Sequence, residues 1–231
     1  VAAGIVIPIR GADLAVPVSG VVDEVLVQDN QLVTENQLLV RLDQSTYIAQ
    51  VNVEQADVLR ADAAVARAQL AVDQLPPEAT PDEIAAVQAD LRVAQTELGL
   101  ANSNLAAAQV ALHQTEVRAP FAGTVAAVEV AVGEQANAGQ AVVTIGDLSS
   151  WLIETTDLSE LEVVRIAVGD RATVTFDALP GLTLSGTVDR IQVRGTTADG
   201  GVVFAVAIRP DQHHPELRWN MSATVHISPS G

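Results

Sequence analysis

The 231-residue chain contains no cysteine and no lysine. Without cysteine there are no disulfides and no thiolate chemistry, and an exported protein or a reducing compartment fits equally well. Without lysine, Schiff-base catalysis, a Walker-type phosphate loop and any lysine-attached cofactor are excluded. Aromatic residues make up 3% of a chain that is 48% hydrophobic, so its cores are built from Val, Leu, Ile and Ala. The twelve basic residues, all Arg from Arg10 to Arg218, face 29 acidic ones, and the net charge is −17. Such a chain repels phosphate backbones, which argues against nucleic acid, and it has no electrostatic grip on anionic lipid. No apolar run approaches the roughly eighteen residues that a spanning helix needs. No signal peptide is visible. Strand-like runs lie at both ends, Gly4–Ile9 and Ala223–Ile227, and the chain reads as cut from something longer.

What is present is a repeat. Pro17-Val18-Ser19-Gly20-Val21-Val22 returns as Pro120-Phe121-Ala122-Gly123-Thr124-Val125, and the offset of 103 holds without a gap through Gln37/Gln140, Val40/Val143 and Leu42/Ile145. Both copies read as short strands of period two. The turns between them carry Asn30 and Asn36 in the first copy and Gly133 and Gly139 in the second. Gly reaches positive φ freely, and Asn is the next best residue there. One small β-module is split, and a helical segment is spliced into the cut.

From Ser45, a plausible N-cap, the period changes to that of a helix. This first helix runs to about Leu75, with Ala56, Leu59, Ala63, Ala66 and Leu70 on one stripe, and Pro76-Pro77 stops it. Thr80, Pro81 and Glu83 form a capping-box start for a second helix. There Ile84, Val87, Leu91, Ala94, Leu98, Ala101, Leu105, Ala108 and Leu112 follow alternating steps of three and four, a coiled-coil heptad pattern. The short connection forces an antiparallel return, and two such arms make a rod of about 45 Å. Gly99 is a weak point in the second arm, either a packing notch or simply tolerated.

Beyond Asp147-Leu148 come a strand at Trp151–Glu154 and a short helix between Leu158 and Val168. Alternating runs follow at Ala172–Phe176, Leu182–Val188, Phe204–Ile208 and Met221–Ile227. Turn chemistry separates them at Leu179-Pro180-Gly181 and Ala198-Asp199-Gly200-Gly201, which suggests a small antiparallel β-barrel. The fold class is therefore mainly β with an α-helical coiled-coil hairpin. A strand at 1–13 begins a barrel or a truncated membrane-proximal domain. Residues 14–44 and 115–147 form the split module, 45–114 the hairpin with its tip near 76–82, and 148–231 the barrel.

Arg118-Ala119-Pro120-Phe121-Ala122-Gly123-Thr124-Val125, followed by Val132-Gly133-Glu134, resembles the second half-motif of the biotinyl/lipoyl-like domain of periplasmic adaptors, the HlyD-type membrane fusion proteins. In these Pro17, Gly20, Pro120, Gly123 and Gly133 are structural positions. The third region, from Val168-Gly169-Asp170 to Gly186-Thr187-Val188, resembles the family's barrel. Leu217-Arg218-Trp219-Asn220-Met221 stands where the family commonly has Leu-Arg-Pro-Gly-Met. The resemblance implies a non-enzymatic adaptor of an export or efflux transporter, held outside the cytoplasm, ring-forming, and anchored in the membrane by a segment absent here. Its implied partner is an inner-membrane pump, with an ABC-type transporter favoured. Adaptors that dock onto an outer channel carry Arg, Leu and Ser at set spacing around the tip. Here Arg67 and Leu70 precede the tip and no Ser follows in place, so docking in that manner is not expected.

Tip contacts are assigned to Glu78, Thr80, Asp82 and Glu83. A swinging-arm carrier is one rival, but the joint where a carrier presents its lysine is occupied by the rod, and the chain has no lysine. His213 and His214, with Asp211 and His226, are competent zinc ligands by type, yet adjacent histidines seldom face one ion and a solvated loop is the simpler reading. His113 suits the negative end of the second helix. No GxSxG, glycine-rich phosphate loop or HExxH pattern is present, and no residues read as catalytic, cofactor-binding or metal-binding. The remaining alternative is a coiled-coil scaffold unconnected with transport.

Overall fold

In the computed structural model residues 1–198 and 201–228 are described. The chain begins with β1 (Ala2–Ala15), β2 (Gly20–Val25), β3 (Leu32–Val33) and β4 (Leu38–Leu42). Two long helices follow, α1 (Ser45–Asp73) and α2 (Pro81–His113). Then come β5 (Glu116–Arg118), β6 (Gly123–Val128), β7 (Gln135–Ala136) and β8 (Ala141–Thr155). The remainder holds β9 (Leu158–Ser159), α3 (Glu160–Val163), β10 (Arg171–Thr175), β11 (Thr183–Ile191), β12 (Thr196–Ala198), β13 (Gly201–Phe204), β14 (Val206–Pro210) and β15 (Ser222–Ser228). The turn expected at 198–201 rests on Asp199 and Gly200, which lie outside the described residues.

The sequence repeat is realised as two interlocked halves. Val22 N–H donates to Glu134 O, and its counterpart Val125 N–H donates to Gln31 O. Gly133 N–H donates to Val22 O, and Asn30 N–H to Val125 O. Asn36 N–H donates to Ala119 O, and Gly139 N–H to Val16 O. The turns of each half are thus held by the strands of the other, so neither half closes alone. Asn30, Asn36, Gly133 and Gly139 have φ of 65°, 63°, 85° and 84°, the left-handed conformation for which these residue types are suited. The equivalence also reaches upstream of the recognisable sequence likeness. Leu14 pairs with Val143 as Val117 pairs with Val40, and the offset of 103 relates Leu14 to Val117 and Val40 to Val143. One core serves both halves, with Val16, Leu39, Val40, Leu42, Val125, Val143 and Ile145 fully enclosed.

β1 and β8 are long because each serves two bodies. Their module ends pair from Arg10/Asp147 to Ala15/Ala141, and their other ends pair from Gly4/Thr155 to Pro8/Trp151, with an irregularity between. Beyond that irregularity the order β1-β15-β10-β11-β14-β8 closes through the β1–β8 pairing. The result is a closed antiparallel barrel of six strands. Closure leaves no exposed sheet edge in this ring. Val6, Ile153, Val174, Val188, Ile208 and Val225 fill it. Gly181, φ 91°, makes the turn at Leu179–Leu182, as its sequence position suggested.

The helices are joined by seven residues and pack side by side. Gln44, just before α1, meets Thr115, just after α2, at one end of the pair, so the arms run antiparallel. The second arm packs as its heptad predicts from Val87 onward: Ala94, Ala101 and Ala108 are buried, and Val87, Leu91, Leu98, Leu105 and Leu112 are half-buried, while Ile84, beside the tip, is exposed. The first arm corrects the expectation. Ala56, Leu59, Ala63, Ala66 and Leu70 are all exposed. The seam is instead Tyr47, Val51, Glu54, Val58, Ala61, Val65, Ala68, Val72 and Leu75, half-buried at steps of four and three. α1 carries two apolar stripes, and periodicity alone does not say which meets α2. Ser45 is also not the N-cap: Gln44 is, and the Asp43 carboxylate accepts from Ser45 N–H at 2.9 Å. That contact, from the Ser45 backbone first, holds the Asp43 carboxyl below the usual Asp range.

Candidate functional site

The helical pair presents three surfaces, its base, its sides and its tip. At the base, Thr115 is fully buried. Its hydroxyl accepts from Gln44 Nε2 at 2.7 Å and donates to Leu112 O at 2.6 Å, while its carbonyl accepts from Leu42 N–H. Leu42 and Gln44 lead into α1 and Leu112 leads out of α2, so one threonine fastens both arms to the module. Arg118 adds a tie from β5 to Asn36 O at 2.9 Å. Nothing in the sequence marked Gln44 and Thr115; a polar pair flanking the two ends of an inserted hairpin is the signal available.

At the tip, Pro76 O accepts from Ala79 N–H in a tight turn. Thr80 and Glu83 form the expected capping box, with Thr80 N–H donating to Glu83 Oε2 at 2.8 Å and Glu83 N–H to Thr80 Oγ1 at 3.4 Å. The Thr80 N–H, then its hydroxyl, hold the Glu83 carboxyl below the ordinary Glu range. Thr80 and Glu83 therefore spend polar groups on the helix start. Glu78 and Asp82 are exposed beside them.

Along the sides lie two exposed stripes. On α1 this is Ala56, Leu59, Ala63, Ala66 and Leu70, with Leu59 and Leu70 64% and 53% exposed. On α2 it is Ala86, Ala89, Val93, Thr96, Leu100, Ser103, Ala107 and Val110, again at steps of three and four and exposed throughout. The hydroxyls of Thr96 and Ser103 turn back to Arg92 O and Gly99 O, which lowers the polarity of the stripe. Gly99 is no notch: a Cβ there meets nothing within 4 Å.

The five motif positions have separate physical roles. Gly133 supplies its positive φ. A Cβ on Gly123 would lie 2.7 Å from Gly146 O, and one on Gly20 would meet only Leu42 side-chain atoms, at 3.3 Å and beyond. Pro17 and Pro120 are exposed and follow the buried Val16 and Ala119. His214 Nδ1 accepts from Glu216 N–H at 3.4 Å. Among the described residues no cluster of three or more His, Asp or Glu is placed to hold a metal ion, and no helix is long and apolar enough to cross a membrane.

Residues 10–147, a split module with a helical pair in its joint, match the family described as RND MFP, barrel-sandwich hybrid domain. The chain belongs to the membrane fusion protein family. It is similar, at 27% identity over 93% of its length and 53% of the relative's, to an uncharacterized protein of Haemophilus influenzae. It is 28% identical to the multidrug resistance protein MdtN of Escherichia coli K12 over 63% of this chain and 44% of MdtN. The chain thus spans about half the length of the curated relatives it matches. In fold it resembles the membrane fusion protein Spr0693 of Streptococcus pneumoniae, with a TM-score of 0.79, 22% identity and 99% and 98% of the two chains covered. MacA of Actinobacillus actinomycetemcomitans gives a TM-score of 0.74 and 22% identity, over 98% of this chain and 76% of that one.

Proposed function

We propose that this chain is the extracytoplasmic part of an adaptor that assists an inner-membrane transporter in efflux or export, without catalysing a reaction itself. Its coiled-coil hairpin gives reach, the split module holds and aims it, and the barrel contacts the pump or a neighbouring adaptor. Copies assemble as a ring anchored by further segments of the full-length protein. The observation that carries the assembly is the second pair of heptad stripes. An intramolecular seam needs one apolar stripe per helix, and here each helix has two. The spare stripe on α1 and the spare stripe on α2 are different surfaces, so their contact is head-to-tail, the kind that generates a ring where its rotation closes.

The pump is expected to be of the ABC type, and the tip, lacking the Ser of channel-docking adaptors, does not engage an outer channel in their manner. The test is photo-crosslinking of the full-length protein in its own membranes, with the captured partners identified by mass spectrometry. Capture of a transporter through the barrel or its flanks is expected. Capture of soluble proteins alone would replace the adaptor with a scaffold, and tight tip-dependent capture of an outer channel would remove the statement about the tip.

A further inference from the structure

Where β1 and β8 pass from the barrel to the module their pairing is interrupted. Pro8 pairs with Trp151, then Arg10 with Asp147, leaving Ile9 unpaired on one strand and Leu148, Ser149 and Ser150 on the other. Just on the module side of this break, Gly11 and Gly146 are direct partners. The indole of Trp219 lies over this glycine pair. A Cβ added to Gly11 would sit 3.0 Å from its Cη2, and one added to Gly146 would sit 2.7 Å from its Cζ3. The ring of Pro8 borders the same spot, 3.4 and 3.3 Å from the two Cβ positions. Two side-chain-free residues thus leave a seat that an aromatic ring occupies.

Trp219 itself belongs to the barrel. Its turn closes with Met221 N–H donating to Arg218 O, and Asn220 takes φ 61°, the positive value a type II turn requires at that place. Asn220 N–H donates to Val6 O and Val6 N–H to Met221 O, pinning the turn to β1. Beside the indole a cleft of about 590 Å³ opens between Pro8, Arg10, Phe121, Arg190 and Trp219. The two bodies are therefore not packed solid here. Just on the module side of the seat, Arg10 lies 4.9 Å from the Phe121 ring centre and pairs with Asp147 at 3.3 Å.

We propose that Trp219 is a positioning residue, a peg from the barrel seated on the Gly11–Gly146 pair that sets the angle between barrel and module. Taken with the adaptor role above, on which its functional consequence rests, it sets the direction in which the rod points. The lever is long. A tilt of about 10° at the base moves the end of a rod of about 45 Å by about 8 Å.

The chain has no cysteine, so spin labels enter only where placed. Labels at Gln88→Cys on the rod and Ser185→Cys on the barrel report the angle as a distance distribution, without any partner. One narrow distribution is expected for the parent. Trp219→Ala is expected to broaden it or shift its centre, and Gly146→Ala, which pushes the ring out while keeping it, to do the same. A parent-like distribution in Trp219→Ala overturns the proposal. Should that variant not fold, Gly11→Ala decides, since its Cβ crowds the indole less severely, and a parent-like distribution there overturns the proposal equally. Because no transporter is involved, failure here leaves the adaptor reading standing, and failure of partner capture leaves the peg standing.

Discussion

Gly20 and Gly123 are the same position of the repeat, yet the structure predicts unequal costs for filling them. On Gly123→Ala the new Cβ falls 2.7 Å from the Gly146 carbonyl oxygen and 3.1 Å from its carbon, both backbone atoms of β8. Ordinary contact begins near 3.4 Å, so β6 and β8 must part by about 0.7 Å where Thr124 and Gly146 are paired. Overpacking of this kind costs about 1–3 kcal/mol. On Gly20→Ala the nearest atom is Leu42 Cδ1 at 3.3 Å, the far end of a side chain that gives by a rotation of its last bond. The reduced freedom of the unfolded chain then offsets about 0.4–1 kcal/mol. Neither glycine has a positive φ, so the comparison isolates sterics. For a chain of this size 1 kcal/mol is about 2–4 °C in Tm. Thermal unfolding followed by circular dichroism should show Gly123→Ala lower by about 2–12 °C and Gly20→Ala within about 2 °C of the parent. Equal losses, or a larger one for Gly20→Ala, would refute the reasoning.

Other outcomes follow from the same contacts. Val65→Asp, in the seam, should destabilise the helical pair by about 2 kcal/mol, whereas Ala66→Asp, on the outer stripe, should cost under about 1 kcal/mol; denaturant titration checks both. Gly99→Ala, with open space around its Cβ, should stabilise by about 1 kcal/mol in the same titration. Asp43, Glu83, Asp147 and Glu162 all have carboxyl pKa values held down in the folded state. For Asp147 the Ser149 hydroxyl and N–H lead and Arg10 follows. A depressed pKa contributes stability above the unfolded value and loses it as pH falls through the folded one. Stability should therefore decline from near the ordinary values of 3.8 and 4.5 downward, and Glu83→Gln should flatten that decline at the tip in amide exchange.

Legibility in the sequence followed the range of the forces involved. The module was readable because its turns are local and demand Asn or Gly at Asn30, Asn36, Gly133 and Gly139. The second arm was readable because only one of its stripes is apolar at every step, the other being interrupted by Thr96 and Ser103. The first arm was misread because its outer stripe, with Leu59 and Leu70, is as apolar as its seam, in which Glu54 sits. Which stripe meets α2 is decided by the antiparallel return and by the fixing of both ends at Thr115, neither of which a single helix encodes. Closure of the barrel through β1 and β8 joins residues about 150 apart and leaves no local mark. Nor does Trp219: its partners are two glycines whose only signature is a missing side chain.

The ring is tested most directly by oxidation of the full-length protein in membranes carrying Leu59→Cys on α1 and Leu100→Cys on α2. The two residues lie at the same height on the antiparallel pair and are exposed by 64% and 63%. If neighbouring hairpins meet through the spare stripes, a ladder of covalent oligomers should form, ending at one closed species, and either single variant should stop at dimers or below. Monomer alone under oxidising conditions, with the fold intact, would contradict the account.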